Sequence, residues 1–167
     1  MSKITPCLWF NGEAEEAARF YVALIPGSAI GAVSRYGENS HFPAGTVMMI
    51  EFTLAGQRYQ ALNGGPEYKL SEAISLSISC NDAAEVDRYW HALTADGGEE
   101  GRCGWLKDRF GVSWQVVPDG LGALLSGPDT ARVGRAVQAM MKMKKLDLAV
   151  MRAAANEDGL TCYGRSS

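Results

Sequence analysis

The chain has 167 residues, 47% hydrophobic and 21% charged, with 19 Gly and 6 Pro. This size and composition describe one globular domain with a real core, which excludes disordered, collagen-like and membrane-embedded classes. Sixteen Lys and Arg against 19 Asp and Glu leave a net charge of −3, a field that favours neither nucleic acid nor anionic lipid, and no apolar run is long enough to span a membrane. A soluble, unexported, cytoplasmic protein is expected, with no nucleic-acid or membrane partner.

Ile4 to Phe10 alternates like a part-buried strand and is closed by Asn11-Gly12. The spacing of Ala14, Ala17, Ala18, Tyr21 and Leu24 predicts a helix, with Glu13, Glu15 and Glu16 in the first turn where the helix dipole favours anions and Pro26-Gly27 as its stop. Strands are predicted over 28–36 and 46–54. A hairpin turn at Ala55-Gly56-Gln57 leads into a further strand over 58–62, and Asn63-Gly64-Gly65-Pro66 ends the run.

The same order then restarts. A strand over 73–80 is followed by the natural caps Asn81 and Asp82, a helix over 83–93 ended by Gly97-Gly98, a strand over 101–107, a turn at Asp108-Arg109-Phe110-Gly111 and a last strand over 112–117. Little room is left for a separate third strand in this half. Residues 14–24 lie on residues 83–93 without a gap, matching Ala14, Glu16, Arg19, Ala23 and Leu24, and Tyr59-Gln60-Ala61-Leu62 lies on Trp114-Gln115-Val116-Val117. The sequence is therefore expected to be a duplicated βαβββ module.

After Gly127-Pro128, Asp129 is placed to cap a helix with Val133, Val137, Met140 and Met141 on one face, and Asp147 to cap a shorter helix through Ala155. The methionine stripe reads as core or dimer packing, with a promiscuous binding groove as the alternative. Cys7, Cys80, Cys103 and Cys162 form no Cys-x-x-Cys pair, and reduced thiols are expected rather than disulfides. His41 and His91 are the only two histidines, so a three-His metal site is excluded, and neither has a catalytic partner at readable spacing.

The segments Ile4-Thr5-Pro6-Cys7-Leu8-Trp9-Phe10-Asn11-Gly12, Glu15-Glu16-Ala17 with Phe20-Tyr21, Ala61-Leu62-Asn63-Gly64-Gly65-Pro66, residues 103–115 and Met143-Lys144-Lys145-Leu146-Asp147 resemble the PhnB-like branch of the glyoxalase and bleomycin-resistance superfamily, the vicinal oxygen chelate fold. The resemblance implies an α+β fold of two βαβββ modules forming a curved mixed sheet around a cavity, plus C-terminal helices. The expected boundaries are 1–126 for the glyoxalase-like domain, with modules at 1–66 and 72–122, then a helical arm over 127–155 and a loose tail over 156–167. A homodimer is expected from the resemblance and from the apolar tail helix.

Enzymes of the superfamily carry a metal ligand on the first and last strand of each module, and the resemblance places those positions at Thr5, Gln60, Ser75 and Gln115. Neutral amides and hydroxyls cannot repay the desolvation of a divalent ion, so neither a metal nor another cofactor is expected. Cys7, on the strand face of Thr5, could still enter as a soft ligand. The expected ligand-binding set is Thr5, Cys7, Trp9, Gln60, Ser75, Ser77, Trp105, Lys107 and Gln115: amides and hydroxyls for hydrogen bonds, indoles for flat apolar walls and one cation. Trp9 and Trp114 read equally as core.

The expected function is binding of a neutral or mildly anionic small molecule in the cavity between modules. Two alternatives stand beside it. One is a metal-dependent isomerase, lyase or dioxygenase-like enzyme using Cys7, Gln60 and Gln115. The other is the demethylubiquinone methyltransferase activity with which relatives are often labelled, discounted because neither a nucleotide-binding glycine turn nor alternating βα units are present.

Overall fold

Strand β1 occupies Cys7–Phe10 in the computed structural model, which describes residues 3–157. It is shorter than the alternation from Ile4 predicts. After it come helix α1 (Ala14–Leu24) and strands β2 (Ala29–Arg35), β3 (Val47–Leu54) and β4 (Gln57–Asn63), in a sheet of order β1-β4-β3-β2. β1 runs parallel to β4 and the other pairs are antiparallel. Ala55 and Gly56 both take positive φ, 45° and 85°, the left-handed pair that matches a two-residue hairpin to the twist of β3 and β4.

Alternation decides which face of this sheet is inside. Leu8, Phe10, Ile50, Phe52, Leu54 and Ala61 are buried, as are Ala14, Ala17, Ala18 and Tyr21 of α1, which packs across β3 and β4. The small alanines let the helix lie close to the sheet. The chain up to Ile74 forms one unit together with Asp108–Ser113, a loop from far downstream. Its Asp108 is 3% exposed and accepts a 2.7 Å hydrogen bond from the Tyr21 hydroxyl and bonds from the amides of Phe110 and Val112.

The second unit holds Ser75–Lys107 and the chain from Trp114 on. Its elements are strand β5 (Leu76–Cys80), helix α2 (Ala83–Thr94), a 3-10 turn over Ala95–Gly97, and strands β6 (Glu99–Glu100), β7 (Trp105–Lys107) and β8 (Ser113–Pro118). The order β5-β8-β7-β6 repeats that of the first sheet, and β5 pairs with β8 in parallel as β1 does with β4. The continuous strand expected over 101–107 is corrected to the short β7, with a separate β6 ahead of it at Glu99–Glu100. Cys103 and Gly104 take φ of 55° and 83°, which turns the backbone between β6 and β7 and leaves room for a third strand of only two residues.

Asp82 caps α2 by accepting from the Glu85 amide at 2.8 Å, while the Glu85 carboxylate accepts from the Asn81 amide at 2.8 Å. Two donors of the open helix end are thus satisfied reciprocally. Asp82→Ala is expected to lower stability by about 1 kcal/mol, read in thermal melting as a fall of roughly 3 °C. An unchanged Tm would show that the cap contributes nothing.

Three helices follow: α3 (Leu121–Leu124), α4 (Thr130–Met141) and α5 (Leu148–Asn156). Asp129 caps α4 through the Arg132 amide, and Asp147 caps α5 through the amides of Ala149 and Val150. Leu124, Ala136, Leu146, Met151 and Ala155 make their core, with Met140 and Met143 packed against it. Met141 does not join the expected stripe: it is 55% exposed, because the helix ends there and Ala136 takes the central contact. Asn156 still belongs to α5, and the rest of the expected tail, beyond Glu157, lies outside the described residues.

Candidate functional site

On the first sheet, the face opposite α1 carries the polar residues. Leu8 and Phe10 point inward, so Cys7 and Trp9 lie on the other face, with Cys7 directly opposite Gln60 and Gln60 directly opposite Glu51. The Gln60 amide Nε2 donates to Glu51 Oε1 at 3.3 Å, and the Arg58 guanidinium lies 3.9 Å from Glu51 Oε2. A cavity of about 230 Å³ borders Glu51 and Arg58, with Gly31 and Thr53 in its wall. Thr5 precedes β1 and is half-buried. Cys7 is exposed, yet partial desolvation pushes its thiol above the ordinary range, which makes it a weaker source of thiolate.

Trp9 has a dedicated seat. Its indole Nε1 donates to the Gly65 carbonyl at 2.8 Å and Tyr68 meets the ring edge-on at 5.0 Å. A Cβ on Gly64 would stand 2.3 Å from the ring, so only glycine fits beneath it. The Asn63-Gly64-Gly65 turn is therefore filled by an indole and offers no open cradle for phosphate.

The second sheet repeats the arrangement. Ser77 lies directly opposite Gln115, as Cys7 does opposite Gln60, and Gln115 Nε2 donates to Ser75 Oγ at 2.9 Å. Trp105 is 37% exposed, and Lys107 forms an ion pair with Glu99 at 3.5 Å. Trp114 is 2% exposed and belongs to the core. The structure thus groups Cys7 with Gln60, and Ser75 and Ser77 with Gln115. His41 and His91 are exposed.

Glu51 was absent from the residues expected at the site. Its signal was present in the alternation of β3, where Ile50, Phe52 and Leu54 are buried and Met49, Glu51 and Thr53 take the opposite face with Gln60. A larger cavity, about 380 Å³, has none of these residues in its lining and sits at the start of α2 and α5 between Cys80, Asp87, Lys145 and Arg152.

The donor chemistry decides whether a divalent catalytic metal fits. Gln115 is committed to Ser75, Glu51 shares its charge with Gln60 and Arg58, and Cys7 offers a single thiol whose proton partial burial makes harder to displace. Among the described residues no group of three or more His, Cys, Asp or Glu is placed to hold a metal ion. The residues present do not fit such an ion.

Comparison with known proteins gives a consistent assignment. The family model for 3-demethylubiquinone-9 3-methyltransferase matches residues 2–117. A PhnB protein of Bacillus cereus, described as a candidate 3-demethylubiquinone-9 3-methyltransferase, is 36% identical with a TM-score of 0.66, over 70% of this chain and 99% of its own. Protein PA1353 of Pseudomonas aeruginosa is 26% identical with a TM-score of 0.58, over 71% of this chain and 98% of its own. A search of curated proteins found no match.

Proposed function

Because this chain belongs to the PhnB-like branch of the vicinal oxygen chelate superfamily, we propose that it binds a small molecule without a catalytic metal. One observation carries this reading. The two duplicated glutamines, Gln60 and Gln115, stand at equivalent register positions of the two sheets, Gln60 beside Cys7 and Glu51 and Gln115 beside Ser75 and Ser77. Such groups recognise a neutral or mildly anionic molecule by hydrogen bonds and stacking. Ser75, Ser77 and Gln115, with Trp105 and Lys107, supply one set of contacts. Thr5, Cys7, Trp9 and Gln60, joined now by Glu51, supply the other. A homodimer in the cytoplasm completes the proposal; among the described residues no helix is long and apolar enough to cross a membrane.

The family description names a methyltransferase, and methyl transfer needs a methyl donor. A nucleoside-bearing donor ordinarily rests on a glycine turn at the edge of a doubly wound parallel sheet. Here the glycine turn seats Trp9, and both sheets are mixed four-stranded sheets with the order first-fourth-third-second. These residues do not fit that group.

Elemental analysis of protein purified without chelator or affinity metal, with melting in added zinc, nickel, manganese and iron, tests the proposal. The expected result is no stoichiometric metal that depends on Gln60 or Gln115, and no melting shift of the kind a true site produces, roughly 2.7 kcal/mol at a hundredfold excess over Kd. Alongside it, tryptophan fluorescence with a panel of small neutral and anionic aromatic molecules should give binders weakened by Gln60→Leu and Gln115→Leu. One metal per chain that is lost in Gln60→Leu would overturn the metal-free reading. Saturable binding of S-adenosylmethionine would favour the methyltransferase instead.

A further inference from the structure

The C-terminal methionines do not share one role. Met140 and Met143 pack on the core of the helical arm, whereas Met141 is exposed and contributes nothing to that core. Its sulfur has a different neighbour. The Cys103 thiol lies 3.7 Å from Met141 Sδ and 3.6 Å from the Met140 carbonyl oxygen. A thiol and a thioether are thus held side by side at the surface of the second unit, on the turn that leads into β7.

The chain fixes this pair from both sides. Cys103 sits in the β6–β7 turn at φ 55°, and its amide donates to the Met143 carbonyl at 2.9 Å while the Gly104 amide donates to the Lys144 carbonyl at 2.7 Å. The turn is therefore clamped to the end of α4, the helix that carries Met141. Two sulfurs 3.7 Å apart subtend roughly 107° at an ion bound to each by about 2.3 Å, a bite close to tetrahedral. Thiolate and thioether together are soft ligands, which select a soft, low-charge cation over magnesium, calcium or manganese.

We propose that Cys103 and Met141 form a surface site for a soft monovalent cation of the copper(I) class, with the Met140 carbonyl facing a third position. Binding exchanges the thiol proton for the metal. The Cys103 S–H bond breaks, the proton leaves to water, the thiolate and the Met141 sulfur each donate a lone pair, and no electron is transferred. The site is independent of the small-molecule reading above. Cys80 is no competitor, since it is fully buried and burial pushes its thiol up to about 11.

The test is copper(I) titration under anaerobic, reducing conditions against a chromogenic copper(I) chelator, in a Cys7→Ser, Cys162→Ser background that removes the other accessible thiol and the one outside the described residues. One equivalent of copper(I) per chain is expected, with a thiolate-to-metal absorption band in the ultraviolet, and neither should form in Cys103→Ser. Met141→Leu keeps the size and apolar character of an exposed side chain and should weaken binding at least roughly tenfold, equal to about 1.4 kcal/mol. Unaltered melting of both variants confirms that the loss is not unfolding. Copper(I) binding that survives Cys103→Ser, or is unchanged in Met141→Leu, would overturn the two-sulfur site.

Discussion

Asn63→Ala lowers the stability of the chain by about 3–4 kcal/mol, seen as a fall in Tm on the order of 10 °C. Asn63 ends β4 and is 1% exposed, yet every polar atom of its side chain is used. Oδ1 accepts from the amides of Gly12 and Ala14 at 2.9 and 3.0 Å, and Nδ2 donates to the Val47 carbonyl at 2.8 Å. Helix α1 has no cap of its own, because the Glu13 side chain at its N-terminus makes no capping bond. Asn63 supplies one from a distant strand and also ties β3 to it. Alanine removes the partner of three backbone groups at once, two of them in buried bonds, which costs more than the loss of an ordinary cap. Asn63→Asp keeps both acceptor contacts and favours the helix dipole, so it should recover part of the loss. Equal melting temperatures for Asn63→Ala and the parent would refute this account.

The second large effect is at Asp108. Asp108→Ala should destabilise by about 3 kcal/mol, because a buried carboxylate that accepts from Tyr21, Phe110 and Val112 is deleted. Asp108→Asn should lose less, since an amide oxygen can still accept from the two backbone donors. Tyr21 and Asp108 act as one unit, so the double variant Tyr21→Phe, Asp108→Ala should cost less than the sum of the singles. Burial, then the Asp108 carboxylate, pushes the Tyr21 phenol well above its ordinary value. The folded chain therefore keeps this proton at pH values where the unfolded chain has lost it. That contribution is complete below about pH 10 and is lost as pH rises beyond it. Denaturant unfolding from pH 8 to 11 should show stability falling at the alkaline end, and Tyr21→Phe should flatten that slope. An identical slope in Tyr21→Phe would assign the alkaline loss to other groups.

What the sequence made legible was largely local. The helices at 14–24 and 83–94 and the caps Asp82, Asp129 and Asp147 depend on residues within one or two turns of each other, and they lie where spacing puts them. The duplicated order of the strands was legible too, since Gln60 and Gln115 align in sequence and occupy equivalent register positions. Contacts formed across long separations were not. Nothing near Gly12 announces that its amide will meet a side chain 51 positions away, and the period of the tail helix cannot tell that Met141 will stand beside Cys103. The break between β6 and β7 was hidden for a related reason. It depends on a cysteine in a left-handed conformation, which residue preference alone disfavours. Glu51 is readable from the alternation of β3, but it stands on neither the first nor the last strand of its module, where the resemblance places the site.

The loop of Asp108–Ser113 belongs with the first seventy-odd residues rather than with its own neighbours in sequence. During synthesis, α1 and its sheet leave the ribosome before that loop exists, and residues 75–107 must be made in between, a delay of a few seconds at about 5–20 residues per second. Throughout that interval the Tyr21 hydroxyl lacks the carboxylate that will receive it, and Phe20 lacks both the Phe110 ring and the Arg109 guanidinium that will lie 4.7 Å from its centre. The N-terminal unit thus receives its last packing partners from a loop made after most of the second repeat. Its completion waits on the second repeat, and a nascent chain stalled before residue 108 would present an aromatic face suited to chaperone capture.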